Sequence, residues 1–498
     1  MPTQQTLPSN HFLSLPPSYA HSSLPESSGT QSHASGGLAP NVASLAAADY
    51  DVDVRTGFLP ATKNLERLPQ DWDLWEDALA AARGETVNDG LRLKGPREKD
   101  RLWRQGVETM PILDVPQASL PLLRRAHLVL SFLLHFYVHT TPPSARTTAL
   151  PIPPSIAVPI VTVSNLLGLP PVVTYSDTVL YNFLPNQPAL PVSISNIPTR
   201  CIESFTNTRS EEQFYVVSAQ CEIAGAEALR LMRRSLDELF LADDVALKRL
   251  SSYLRKLAVQ IDLIGDITLS MIQNVDPEEF YHLIRPWFRG GDADGPNSLG
   301  WEFQGIEAGS TAESGRTGTG ATLFSGPSAG QSSLIHAIDI FLTVDHAPTP
   351  DEGIVLDAEP IGSSKPNEAT FVQRMLQYMP QQHRSFLLHL ASQPTSLRQL
   401  VASCAETHPK LVASYDAALE ALKRFREKHM RVVSIFIVQQ ARRQPSERIQ
   451  ELIGEVEAPV GELRGTGGSP LFKFLKRCRD NTTKAMIGKP AGPGFELA

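Results

Sequence analysis

The 498-residue chain has only four cysteines, Cys201, Cys221, Cys404 and Cys478, far apart and with no C-x-x-C pair. That excludes a disulfide framework and a thiolate zinc site, and it fits a reducing compartment. Basic residues are not in excess, and at a net charge of −8 there is no stripe to neutralise a phosphate backbone, so nucleic acid is not an expected partner. No apolar run reaches the roughly 20 residues of a membrane span. The longest, AHLVLSFLLHFYVH (126–139), holds three histidines and reads as a buried helix. No lysine or arginine precedes Arg55, which excludes a secretory or mitochondrial leader and points to the cytoplasm. The small-residue stretch SGPSAGQSS (325–333), followed at once by the apolar LIHAIDIFLTV, has no lysine and so is not a nucleotide phosphate loop. Small residues there instead imply that something bulky lies against the backbone. The serines lie mostly in loops with no paired base, which gives nucleophilic catalysis little support.

What is present is a large potential core, with 42% hydrophobic residues in a chain long enough for two or three domains. Residues 1–48 are rich in Ser, Pro, His, Gly and Ala and read as a disordered tail. From 49 to about 203, helical patterns such as DWDLWEDALAAAR and SLPLLRRAHLVLSFLLHFYVH alternate with proline-rich connections, among them HTTPPSARTTALPIPPSIAVP (139–159). The remainder, 204–498, reads as long helices, with Ser210, followed by Glu212 and Gln213, as the expected cap of the first. Further helices are expected near 243–274, 329–344, 368–379, 382–392 and 411–441. Residues 289–325, dense in Gly, Ser, Thr and Asp, read as a mobile loop. The expected fold is all-α, a smaller N-terminal and a larger C-terminal helical domain behind the tail.

Leu422, Phe425, His429, Val432 and Phe436 follow alternating steps of three and four, so His429 points inward. Periodicity leaves two readings open, a satisfied core histidine or a single axial ligand on a heme iron. His135 and His139 have the i, i+4 spacing of zinc ligands, but with no glutamate and no third ligand they read as structural. His383 and His389 are explained by a helix start and a packed face.

Taken together, GFLP (57–60), LGLPPVVTYSDTVLYNF (167–183), SFTNTRSEEQFYVVSAQCE (204–222), SAGQSSLIHAIDIFL (328–342), YMPQQHRSFLLHL (378–390), KRFREKHMRVVSIFIV (423–438) and GTGGSPLFKFLKRCRDNTTKAM (465–486) resemble the indoleamine 2,3-dioxygenase family. The resemblance spans roughly residues 49–490. It implies heme b with His429 as the proximal iron ligand, Arg426 near a heme propionate and Asp339 on the same side. It further implies Phe280 as an aromatic wall, Arg285 on the substrate carboxylate, and Tyr175, Thr178, Val179, Phe214 and Ser218 as pocket lining. Ser328 and Ala329 are then small so that flat rings can approach, and Thr466, in the RGTGGSP loop (464–470), would help hold the amino-acid end of the substrate. The implied reaction inserts both atoms of dioxygen across the indole C2–C3 bond of L-tryptophan or a related indole, giving N-formylkynurenine. An electron donor would keep the heme ferrous, and the protein would be a cytoplasmic monomer. The alternative is a heme-binding protein of the same fold with little turnover, a sensor or reservoir. Pro327 stands where the family usually has glycine and removes a backbone donor beside the pocket.

Overall fold

In the computed structural model the residues described are 49–115, 119–142, 148–306, 321–346, 371–394, 396–453 and 471–488. The longer helices among them are α1 (Asp73–Arg83), α2 (Glu98–Thr109), α3 (Leu120–Thr140), α4 (Pro154–Leu167), α5 (Arg209–Leu241), α6 (Asp244–Leu269), α7 (Ser333–Phe341), α8 (Gln381–Ala391), α9 (Pro409–Val433) and α10 (Leu471–Lys484). The protein is all-α, with four short strands among the described residues, β1 (Leu150–Ile152), β2 (Leu184–Pro185), β3 (Pro198–Arg200) and β4 (Trp301–Phe303). No helix among the described residues is long and apolar enough to cross a membrane.

The apolar run at 126–139 is buried on nearly every side within α3, because α1, α2 and α4 pack around it. Its two buried arginines are neutralised from distant chain segments. Arg125 pairs with Glu76 at 2.5 Å and Glu203 at 2.8 Å, while Arg124 pairs with Asp51 and lies over the Tyr181 ring at 5.1 Å. The histidines of this helix are structural: His135 Nδ1 bonds the Trp287 carbonyl at 2.7 Å and its Nε2 accepts from Val173 N at 3.2 Å.

Three sequence expectations change. The proline-rich stretch 139–159 is not merely a connection, since it contains β1 and the start of α4, which carries Pro159 in its interior. Burial of Ile156, Ile160, Val161 and Val163 offsets the hydrogen bond that this proline forgoes. The cap of α5 is Thr208, whose hydroxyl accepts from Glu211 N at 3.2 Å, whereas Ser210 lies inside the helix and donates to Glu279. Finally, part of 289–325 is ordered. β4 pairs in parallel with β1, Leu150 opposite Trp301 and Ile152 opposite Phe303, and Trp301 also bridges to Thr322. The tail 1–48, residues 307–320 and the loop 464–470 with Thr466 lie outside the described residues.

Helices α5, α6 and α9 pack along their lengths and hold the site. Gly225 lets α7 close on α5, because a Cβ there would meet Leu334 Cδ2 at 2.2 Å. Helix α5 serves two hydrophobic cores, with Tyr215, Val217 and Ile223 in one and Ala228, Leu231 and Met232 in the other. Among the described residues three π-helical turns, Ser176–Leu180, Glu279–Ile284 and Ser434–Val438, send apolar side chains into the first of these cores.

Candidate active site

Between α5, α6, α9 and the 327–339 segment lies a cavity of about 310 Å³, within the ~300–1,000 Å³ range typical of ligand and cofactor sites. All three π-helical turns contribute to its walls, through Thr178 and Val179, Phe280, and Phe436 and Ile437. Every site residue expected from sequence lines this one space, Thr466 excepted: Tyr175, Thr178, Val179, Phe214, Ser218, Phe280, Arg285, Ser328, Ala329, Asp339, Arg426 and His429. They come from positions up to 254 residues apart, and only folding brings them together.

One wall carries charge. A single terminal nitrogen of Arg426 donates to both Asp339 oxygens, at 2.5 and 2.7 Å, and the other terminal nitrogen donates to Thr482. His346 Nε2 bonds the same carboxylate at 3.0 Å, while its buried Nδ1 has no hydrogen-bond partner among the described residues. Burial alone would raise the Asp339 pKa, yet Arg426 and His346 hold it at about 2. Burial alone would likewise lower that of His346, but the bond to Asp339 and the nearby Cys478 push it up to about 9. At neutral pH two cations and one anion therefore face the cavity, a net charge of +1 that favours an anionic group beside them.

His429 is one turn beyond Arg426 on α9. Burial, with the Arg426 charge adding to it, lowers its pKa to about 4, so the imidazole is neutral and keeps a lone pair. No hydrogen-bond partner for its ring is found among the described residues. Several other buried histidines are bonded. His127 bonds Asp177 at 2.6 Å and Ser164 at 3.1 Å, His135 uses both nitrogens, and His336 donates to the Gly330 carbonyl at 2.8 Å. His282 and His383 also have ring nitrogens without a hydrogen bond but do not line the cavity, and His346 is bonded through Nε2 to Asp339, so among the described histidines only His429 turns a ring with no hydrogen bond to the cavity.

The facing walls are apolar. The Phe214 and Phe280 rings lie 4.7 Å apart between centroids, and Phe280 meets Phe436 edge-on at 5.7 Å. Arg285 sits over the Tyr281 ring at 5.4 Å; burial lowers its pKa from the ordinary arginine value, which leaves it charged at neutral pH. The Ser218 hydroxyl donates to the Phe214 carbonyl at 3.1 Å and so is not poised as a base.

The 325–333 loop forms a 3₁₀ turn, Ala329–Gln331, capped by the Ser328 hydroxyl accepting from Gly330 N at 3.2 Å. Ser328 and Ala329 line the cavity, whereas Gly326 is small for another reason: a Cβ there would meet the Phe288 carbonyl oxygen at 1.7 Å. Gly326, Ser328 and Gly330 match the G-x-S-x-G spacing of a nucleophile elbow, a pattern that sequence reasoning takes the chain to lack. The capping bond occupies the hydroxyl, and no histidine is bonded to it among the described residues, so the spacing carries no nucleophile.

Among the lining residues with chemistry that sequence reasoning missed are His346 and Glu222. His346 lies beyond the end of α7, where no period marks it. Glu222 follows Phe214 and Ser218 at steps of four, so its place on the cavity face was available to the same argument.

The profile of the indoleamine 2,3-dioxygenase family matches residues 46–485. Indoleamine 2,3-dioxygenase acdA of Aspergillus candidus is 30% identical over 453 residues, covering 89% of this chain and 98% of that protein. Indoleamine 2,3-dioxygenase 1 of Mus musculus is 29% identical over 389 residues, 78% of this chain and 86% of that one. The 6-hydroxytryptophan 2,3-dioxygenase fscD of Fusarium equiseti is 29% identical over 451 residues, 88% and 97% of the two chains. With that match running over nearly all the described residues and through every wall of the cavity, the chain belongs to the indoleamine 2,3-dioxygenase family of enzymes.

Proposed function

We propose that this enzyme inserts both atoms of dioxygen across the indole C2–C3 bond of L-tryptophan to give N-formylkynurenine, with heme b held in the cavity through His429. The observation that carries the reading is the neutral His429 imidazole, without a hydrogen bond among the described residues, on a cavity whose walls are mostly apolar. A heme needs one such ligand, an apolar slot and a cationic edge for its carboxylates, and the Arg426–Asp339–His346 group supplies that edge. The residues present therefore fit the cofactor.

When bound, heme supplies the capture and activation of dioxygen. The chain's own residues do the rest. His429 offers its lone pair to the iron, and Arg426 with His346 offers donors to a carboxylate edge. Phe214 and Phe280 confine a flat indole, while Arg285 offers a fixed charge to the amino-acid carboxylate. Both oxygen atoms end in the product and the indole double bond supplies the electrons, so no side chain has to act as a base. Apolar walls exclude water from the reacting ring.

The same reading divides the chain into a smaller domain, 49–203, and a larger one, 204–498, the latter contributing all cavity-lining residues except Tyr175, Thr178 and Val179. It also includes a cytoplasmic monomer and a reductant that keeps the heme ferrous. The test is mass analysis of the product after reduced, heme-loaded protein meets L-tryptophan in air. Gain of two oxygen atoms is expected. Unchanged tryptophan beside a normal heme spectrum overturns the reading in favour of a sensor or reservoir, and turnover of 6-hydroxytryptophan alone would reassign the substrate.

A further inference from the structure

Glu222 is only 2% exposed, yet it lies on the cavity face of α5, one turn past Ser218. Its Oε1 accepts from two other walls, from the Tyr175 hydroxyl at 3.0 Å and the Ser332 hydroxyl at 2.7 Å. Its Oε2 is buried with no partner among the described residues. Gln331 joins the same two walls, accepting from Tyr175 N at 2.8 Å and donating to the Gly326 carbonyl at 2.9 Å. The tyrosine, the small-residue loop and α5 thus meet at one carboxyl oxygen.

We propose that Glu222 is a positioning residue of the substrate pocket, holding Tyr175 and Ser332 in place through Oε1, and that the pocket accepts an indole best while this carboxyl keeps its proton. The proposal rests on reading the cavity as the indole site. An ionised carboxylate would leave Oε2 charged, bare and already shut off from water, and an apolar ring in the adjoining cavity lowers the polarity around it further, so filling the cavity favours the neutral acid.

Burial pushes the Glu222 pKa up to about 7, against the bonds from Ser332 and Tyr175. The titratable groups that face it, Tyr175 from the segment before the 176–180 turn and Cys221 from its own helix, are both held neutral by burial, Cys221 with its pKa raised to about 12. No cation contributes to it. Loss of the proton therefore falls in the physiological range, and by linkage indole affinity declines as pH rises through 7, by at most tenfold per unit.

The experiment is binding of indole, which has no group titrating between pH 6 and 8.5, to the heme-loaded protein, followed by the heme absorption spectrum. In the unmodified protein affinity should fall several-fold across this range. Glu222→Gln, which keeps an acceptor for both hydroxyls but cannot ionise, should bind as the unmodified protein does at pH 6 and show no pH dependence. Glu222→Ala, which loses both ties, should raise KM for L-tryptophan about tenfold with a smaller change in kcat. A purely structural role would move thermal stability and leave the pH profile intact. A flat profile in the unmodified protein, or an undiminished one in Glu222→Gln, overturns the proposal while leaving the site reading intact. If the unmodified protein binds no indole at any pH, the site reading itself fails and takes the proposal with it.

Discussion

Replacing Asp339 by asparagine should destabilise the heme-free protein in a pH-dependent way. Asp339 joins Arg426 and His346, and its side chain is only 11% exposed. Its carboxyl is held at about 2, below an ordinary 3.8, so that contribution is complete above about pH 4 and is lost as pH falls toward 2. The His346 pKa is raised from 6.5 to about 9, so that contribution is complete below 6.5 and is lost as pH climbs through 9. The histidine shift corresponds to about 3 kcal/mol. The aspartate shift reports partly the same contact, so the two are not added. Removing one partner of a buried ion pair costs about 3–5 kcal/mol. Asp339→Asn should therefore lose about that much at pH 6, and the gap to the unmodified protein should narrow by up to about 3 kcal/mol by pH 9.5, where His346 is mostly neutral, Cys478 accounting for part of the shift. Urea unfolding at pH 6, 7.5 and 9.5 measures this. An equal loss at all three values, or a loss under about 1 kcal/mol at pH 6, would refute the reasoning.

Two further substitutions probe the cavity. His429→Ala should fold, because its ring makes no hydrogen bond to lose, and should retain little heme; stoichiometric heme in the purified variant, by iron analysis, would remove His429 as the ligand. Arg285→Ala should lower kcat/KM for L-tryptophan roughly 10–100-fold, the equivalent of a charge-assisted hydrogen bond of about 1.5–3 kcal/mol. Unchanged kinetics would take Arg285 out of the site.

Much of this was legible in one dimension because helical faces are periodic. Steps of three and four turned His429, Phe425 and Val432 to a common side, whereas Phe214 and Ser218, four apart on α5, came from the family resemblance. The same spacing reached Glu222, but a glutamate in a helix ordinarily faces water, and nothing local announced that this one is buried. His346 had no period at all. Thr208 outranked Ser210 as the cap of α5 because Ser210 finds a partner in Glu279, 69 positions away. Pro159 falls in a stretch whose prolines read as a connection, yet it lies inside α4, where burial of its neighbours outweighs one missing hydrogen bond.

Sequence by itself determined the helical class, the exclusion of nucleic acid and membrane spans as expectations, the inward face of α9 and, through ordered motifs, the family. Tertiary structure decided which faces meet: that Arg426 and His346 share Asp339, that one oxygen of Glu222 joins three walls, and that His429, unlike His127 and His135, has no hydrogen-bond partner among the described residues. The physical reason is that periodicity is set by backbone geometry within a few turns. Protonation states and unsatisfied atoms depend instead on burial and on neighbours, and those are supplied by elements tens to hundreds of residues away.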